Sequence, residues 1–389
     1  MSVIFLLIPL LIGLLAWRKP LYNWDLVAYT GCVLSREGLN PEQAHALTFR
    51  LLQEEIPAPK YQYLTEPHAP PDNDYAVVVL RSTKSFQQQL RFFQTMWLYV
   101  WILEILHRLG MSVVRAAALV SVASYWGLML PIYGWSRRQM PGRAGLLAAW
   151  TLAVCPPILQ MARLATPDAL SALALTAAGY LLLTRKAEGW FVALNAMAIW
   201  IRPDNVILAG LSMAALWLAQ PERRRFWLTG MGIAAASYGL LTAAAPGYSW
   251  TVLFYHSFIA HLDYPASAAA HLSWRLYLGA IARGVVALGE SSFASEFLLL
   301  GAMGLTMQRA RSRGRRNAPD EAIIPLAWAM AAALGTHFML YPMVQDRFYI
   351  AEYLLLAFAG LRAIAHDQGG GRAGEISATA GRSREQAAA

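Results

Sequence analysis

Apolar runs long enough to cross a bilayer, or nearly so, recur along the chain and are separated by short polar turns. The pattern predicts membrane spans at 3–17, 112–136, 143–160, 167–184, 188–202, 203–219, 226–245, 292–308, 322–341 and 347–365. The segment 188–219 is apolar on both sides of Arg202-Pro203-Asp204. Proline breaks a helix there, so two short helices are expected to meet near the outer surface. Two further apolar segments, 92–109 and 274–289, are expected to lie in the interface rather than cross. The first mixes Glu104, His107 and Arg108 with Trp97, Trp101 and Leu106, a pattern suited to an interfacial helix.

Residues 18–111 form a large hydrophilic insertion between the first two spans. Asn40-Pro41-Glu42 supplies a cap residue, a first-position proline and an acidic first turn, and Ala44, Leu47, Leu51 and Leu52 share one face. An amphipathic helix is therefore expected over 41–55. Residues 24–37 also read as helical and end at Gly38. The prolines between Pro57 and Asp74 indicate a loop, and Tyr75–Leu80 suits a short strand. The tail from His366, rich in Gly, Arg, Ala and Ser, is expected to be a disordered cytoplasmic extension.

Charge gives the pattern a direction. Dense basic clusters sit at Arg137-Arg138…Arg143, Arg185-Lys186, Arg223-Arg224-Arg225 and Arg309…Arg316, and notable aspartates fall in the alternate turns. A cytoplasmic N-terminus puts every one of these clusters inside, as the positive-inside rule requires. A crossing by 92–109 would turn the Arg137–Arg143 cluster outward and break that rule. With 57% hydrophobic and 14% charged residues, the chain departs from soluble-domain composition. Its net charge of +9 belongs to loops flanking apolar runs, so no nucleic-acid partner is implied. Cys32 and Cys155 suggest neither a disulfide framework nor a zinc site. No small-residue cleavage site precedes Arg18-Lys19-Pro20, so a retained first span is expected. The reading is an all-α polytopic membrane protein of about ten transmembrane helices, in a cell inner (plasma) membrane.

Candidate chemistry sits in the outer turns. Asp25 follows the first span in Asn23-Trp24-Asp25-Leu26-Val27-Ala28-Tyr29, and Asp168 opens a helix in Arg163-Leu164-Ala165-Thr166-Pro167-Asp168. An acid beside a first-turn proline is also an ordinary helix start, so Asp168 alone decides nothing. Asp25, between aromatic residues at the bilayer edge, is costly unless paired or used. Only Glu296 and Glu352 are expected to be buried within spans.

The order of these features resembles the integral-membrane glycosyltransferases of the GT-C fold, among them aminoarabinose transferases and protein O-mannosyltransferases. The resemblance rests on a short first span, an early outer Asp and amphipathic loop helices. Leu106-His107-Arg108-Leu109-Gly110-Met111-Ser112…Arg115-Ala116-Ala117 then leads into the second span, and an outer Arg-x-x-x-x-Asp opens a Leu/Ala-rich helix. It covers roughly residues 1–245. Leu26 stands after Asp25 where many members carry an acid, and Arg91 stands near the place of a Lys-Pro-Pro element, so no subfamily is named.

The resemblance implies transfer of a sugar from a polyprenyl-phosphate donor to a hydroxyl of a lipid, glycan or protein acceptor on the extracytoplasmic face. Asp25 would be the general base, taking the proton as the new bond forms. Asp168 would hold the sugar or acceptor, orient a partner of Asp25, or share Mg2+ or Mn2+ with it, which two carboxylates with waters permit but do not demand. Fixed cations would stabilise the leaving phosphate: Arg202 and Arg347 first, then Arg163 and Arg91. Ion pairs of Arg202 with Asp204 and of Arg347 with Asp346 are the plainer alternatives. Tyr29, His256, His261 and Asp263 are candidates for acceptor or sugar binding, in an outer segment that could equally be solvated interface. The histidine spacing gives no zinc signature. A transporter or lipid flippase, with charges deep along a pathway, and a non-catalytic scaffold of envelope assembly are the competing readings.

Overall fold

Inside a bilayer a backbone must satisfy its own hydrogen bonds, and helices do so locally. The computed structural model describes residues 2–66, 75–268, 270–291, 293–294, 296–302, 322–343 and 345–365, and among these the regular elements are helices, with one isolated bridge between Leu21 and Leu164. α1 (Ser2–Arg18) leads into an outer layer built from α2 (Trp24–Arg36), α3 (Pro41–Glu55), α4 (Ala58–Thr65), α5 (Tyr75–Arg81), α6 (Thr83–Gln94) and α7 (Trp97–Arg108). The apolar bundle follows with α8 (Val113–Gln139), α9 (Gly142–Ala153), α10 (Pro156–Arg163), α11 (Asp168–Arg185), α12 (Glu188–Ile201), α13 (Asn205–Ala219) and α14 (Arg224–Ala244). After α15 (Trp250–Phe258) and α16 (Trp274–Ser291) come helices at Ile323–Leu340 and 350–365.

Among the described residues three helices are long and apolar enough to cross a membrane: Val113–Gln139, Pro221–Ala244 and Ile323–Leu340. α9 and α10, bent by 53° at their junction, make a fourth if they form one span. Helices occupy most of the other expected spans, but α12 and α13 are shorter apolar pieces, and the expectation of ten crossings goes beyond what length and hydropathy support. Only part of the 292–308 run lies among the described residues, and the tail from His366 lies outside them. α7 has 12 residues and so rises about 18 Å, less than the roughly 30 Å hydrocarbon core.

The outer layer keeps most of the predicted elements. Asn40 and Gln43 form a reciprocal capping box at the start of α3, which buries Ala44, Thr48, Phe49 and Leu52. Gly38, at φ +83°, ends the turn after α2. Two expectations fail here. Tyr75–Leu80 is helical; among the described residues no strand lies beside it to take its backbone hydrogen bonds. The proline segment after Pro57 contains α4, where Pro57 and Pro59 sit at a helix start that needs no N–H donor.

α2 is buried from Leu26 to Leu34 and anchors a core with Phe86, Leu90, Tyr99 and Leu103. This core reaches Val113–Val120 of α8 and Ala165, so the outer layer is seated on the bundle beside the start of α11. α11 buries mainly small residues, including Ala169, Ala172, Ala178 and Gly179, which lets α8, α12 and Leu355 approach closely. Glu352 is buried as expected, whereas Glu296 is exposed: Phe297 takes the inward face and stacks on Tyr353 at 4.6 Å.

Gly31 marks the closest approach of α2 and α6. A Cβ there would lie 2.9 Å from Leu90 Cδ2 and closer still to Phe86 Cζ. Gly31→Val is expected to cost about 1–3 kcal/mol by overpacking, read as a lower thermal unfolding midpoint in detergent; an unchanged midpoint would show that this contact yields.

Candidate active site

Three interruptions of helix bring charge to one place. Asn23-Trp24-Asp25 starts α2, Thr166-Pro167-Asp168 starts α11, and Arg202-Pro203-Asp204 separates α12 from α13. Pro203 forces Arg202 into extended backbone, φ −146° and ψ 119°. Asn205 pins the break, its Nδ2 donating to Ala198 O and to Ser171 Oγ, both at 2.7 Å. A fourth segment, the short 3-10 turn Asp346–Phe348, delivers Arg347.

These segments line one cavity of about 630 Å³. Arg347 Nη1 lies 3.0 Å from Asp25 Oδ2 and 3.5 Å from Asp168 Oδ2. Arg202 donates through Nη1 to Asp168 Oδ1 and grips Asp204 through Nε and Nη2. His337 Nε2 stands 3.4 Å from Asp204 Oδ2. The order Asp25, Arg347, Asp168, Arg202, Asp204, His337 is thus one line of alternating charge. The Phe348 ring lies between the two guanidiniums, 4.5 Å from Arg202 and 4.8 Å from Arg347.

Burial makes this pairing obligatory. Asp168 is 3% exposed and Arg202 7%, in surroundings where an unpaired charge would be very costly. Burial alone would favour neutral Arg202, yet Asp204 and Asp168 outweigh it and raise its pKa. Arg347 is likewise raised, with Asp25 and Asp168 overcoming the effect of burial. Burial disfavours the Asp204 carboxylate, but Arg202 and His337 outweigh that and lower its pKa.

The two early aspartates differ in detail. Asp168 Oδ2 accepts from Thr166 Oγ1 at 2.7 Å, and both its oxygens are engaged. Asn23 Nδ2, at 2.8 Å, and Arg347 both contact Asp25 Oδ2, and among the described residues no hydrogen bond reaches Oδ1. Asp25 therefore keeps one oxygen for a ligand in the cavity. Tyr29, buried beside it, donates to Met96 Sδ at 2.7 Å, and burial followed by the Asp25 charge pushes its phenol pKa well up. Arg347 already lies between Asp25 and Asp168, where a shared divalent ion would have to go. Among the described residues no group of three or more His, Cys, Asp or Glu could hold a metal.

The remaining candidates separate. Arg91 is exposed and lines the cavity, 5.9 Å from the Tyr248 ring, with no ion pair among the described residues. Arg163 is outside the cavity: its Nε donates to Lys19 O at 3.0 Å, tying α10 to the chain after α1. His256, His261 and Asp263 are also outside. His256 stacks on Phe92, a lining residue, at 4.8 Å and accepts from Leu262 N–H at 2.9 Å, while His261 stacks on Tyr75 at 4.4 Å. Ser85 and Gln89 of α6 donate to the carbonyls of Asp263 and Leu262, so this segment braces the wall. Asp346 does not neutralise Arg347; it accepts from Tyr353 O–H and Phe293 N–H. The sequence reading missed His337, Phe348 and Thr166. A lone histidine on the apolar Ile323–Leu340 helix was the available signal.

Residues 97–250 match the family model described as dolichyl-phosphate-mannose-protein mannosyltransferase. The match, over 154 of the 389 residues, supports a GT-C-like membrane glycosyltransferase. It spans α7 to the start of α15 and so contains Asp168, Arg202 and Asp204, while Asp25, Arg91, His337 and Arg347 fall outside it. No curated protein and no solved structure matches the chain.

Two consequences of the packing can be measured. Arg202→Met leaves Asp168 buried without its closest cation and should cost about 3–5 kcal/mol. Adding Asp168→Asn should recover part of the loss, and strictly additive effects would rule out the coupling. His256 is held down to about 4, first by burial and then by His261. The neutral ring therefore stabilises the fold above the ordinary value near 6.5, and that contribution is lost as pH falls through about 4. Thermal midpoints of wild type and His256→Gln should diverge across this window; parallel pH profiles would contradict the assignment.

Proposed function

We propose that this glycosyltransferase moves a sugar from a polyprenyl-phosphate donor to an acceptor hydroxyl on the extracytoplasmic face, with Asp25 as general base. The observation that carries the reading is the cavity itself. Asp25 has a carboxylate oxygen there with no hydrogen bond among the described residues, beside buried Arg202, half-buried Arg347 and apolar lining side chains.

The chemistry follows from that arrangement. The acceptor oxygen attacks the anomeric carbon, the carbon–oxygen bond to phosphate breaks, and the hydroxyl proton passes to Asp25 Oδ1. The polyprenyl phosphate leaves with the electron pair of that bond, and its growing charge faces Arg347 and Arg202, preorganised by Phe348 and the aspartates. Arg91 receives the donor phosphate at the mouth, since it is the lining arginine without a carboxylate partner among the described residues. Val206, Ile207, Leu253 and Leu340 offer the lipid tail an apolar path. Asp168 orients Arg202 and Arg347, and Tyr29 faces the sugar or acceptor. The aromatic segment with His256, His261 and Asp263 shapes the acceptor side. Because Arg347 fills the position between Asp25 and Asp168, no step is routed through Mg2+ or Mn2+. Arg163 serves as a backbone tie rather than a phosphate ligand. A transporter would spread its charges along a pathway, whereas these are paired with one another at a single cavity.

Asp25→Asn should yield a folded, membrane-inserted protein with transfer reduced by about 10²–10⁴-fold. Mass spectrometry of envelope glycans from cells lacking the gene, complemented with wild type or variant, reads this directly. Restoration of the missing sugar by Asp25→Asn would remove the base assignment.

A further inference from the structure

The line of alternating charge ends in a residue with no role so far. His337 sits in the last turn of the Ile323–Leu340 helix, 8% exposed, and lines the cavity. Its Nε2 approaches the same Asp204 Oδ2 that receives Arg202 Nη2. Packing sets the ring: Tyr349 lies edge-on to it at 5.2 Å and Phe348 is tilted against it at 6.3 Å. Asp204, by contrast, opens the α13 helix beside a proline break and keeps 29% of its side chain exposed, against 8% for Arg202. Asp204 is thus the link in the line that cavity water can pull away.

We propose that His337 is a positioning residue of the transfer site, holding Asp204 so that the Arg202 guanidinium stays against Asp168. The inference rests on the transferase reading. The groups facing the ring are Asp204, Arg202 and Asp168, with Tyr349 against its edge. Through Asp204, His337 fixes the Arg202 guanidinium that faces the leaving phosphate.

The test uses the full-length protein in detergent and two readouts. Farnesyl phosphate binding is followed by tryptophan fluorescence, and sugar transfer is assayed separately. Wild type, His337→Gln, His337→Ala and Asp25→Asn are compared. His337→Gln keeps an N–H for Asp204, whereas His337→Ala does not. His337→Ala should lose about tenfold in kcat, and His337→Gln should restore most of it. Wild-type turnover in His337→Ala, or no recovery in His337→Gln, would overturn the proposal. Failure of the transferase reading looks different: farnesyl phosphate binding weakens in His337→Ala and recovers in His337→Gln, yet wild type transfers no sugar or Asp25→Asn transfers as well as wild type.

Discussion

Everything around the cavity depends on the need of buried charges for partners. Asp168 and Arg202 are almost fully withdrawn from water, and Arg347 holds Asp25 and Asp168 together. In a poorly polarisable interior each of these groups would be prohibitively costly alone, and a line of alternating sign removes most of that cost. The line also acts as a clasp. It joins the starts of α2 and α11, the α12–α13 break, the end of the Ile323–Leu340 helix and the Asp346–Phe348 turn, which lie up to 322 positions apart in the chain.

A clasp of this kind suits chemistry that creates charge. The guanidiniums are already oriented by carboxylates and by Phe348 before a substrate arrives, so little reorganisation is needed when a phosphate leaves. What remains uncommitted is as telling as what is paired. Among the described residues Asp25 retains one oxygen without a hydrogen bond, and Arg91 lines the cavity without a carboxylate partner. These two groups mark where a proton and a phosphate could be received. The family match covers the part of the clasp contributed by Asp168, Arg202 and Asp204, and the geometry connects it with the flanking segments.

Local rules carried the outer layer a long way. The capping box at Asn40 and the Gly38 turn are written in adjacent residues, and the α12–α13 break follows from Pro203 alone. The same rules misread Tyr75–Arg81, because β-branched residues favour strand only where another strand can pair with them. Sequence alone also left Arg163 a weaker candidate for the phosphate, where it bonds Lys19 O outside the cavity, and offered neighbouring Asp346 as the plainer partner of Arg347, which meets distant Asp25 instead.

From its order of residues, then, this protein is helical, bilayer-embedded and marked by aspartates and arginines at helix interruptions, since periodicity, proline and charge act over a few neighbouring positions. Which of those charges meet was decided by the fold. Asp25 finds Arg347, Arg202 finds Asp168, His337 finds Asp204, and Arg163 is left outside. Such partnerships depend on how α2, α11, α13 and the Ile323–Leu340 helix pack, and packing distances are not encoded in any local pattern.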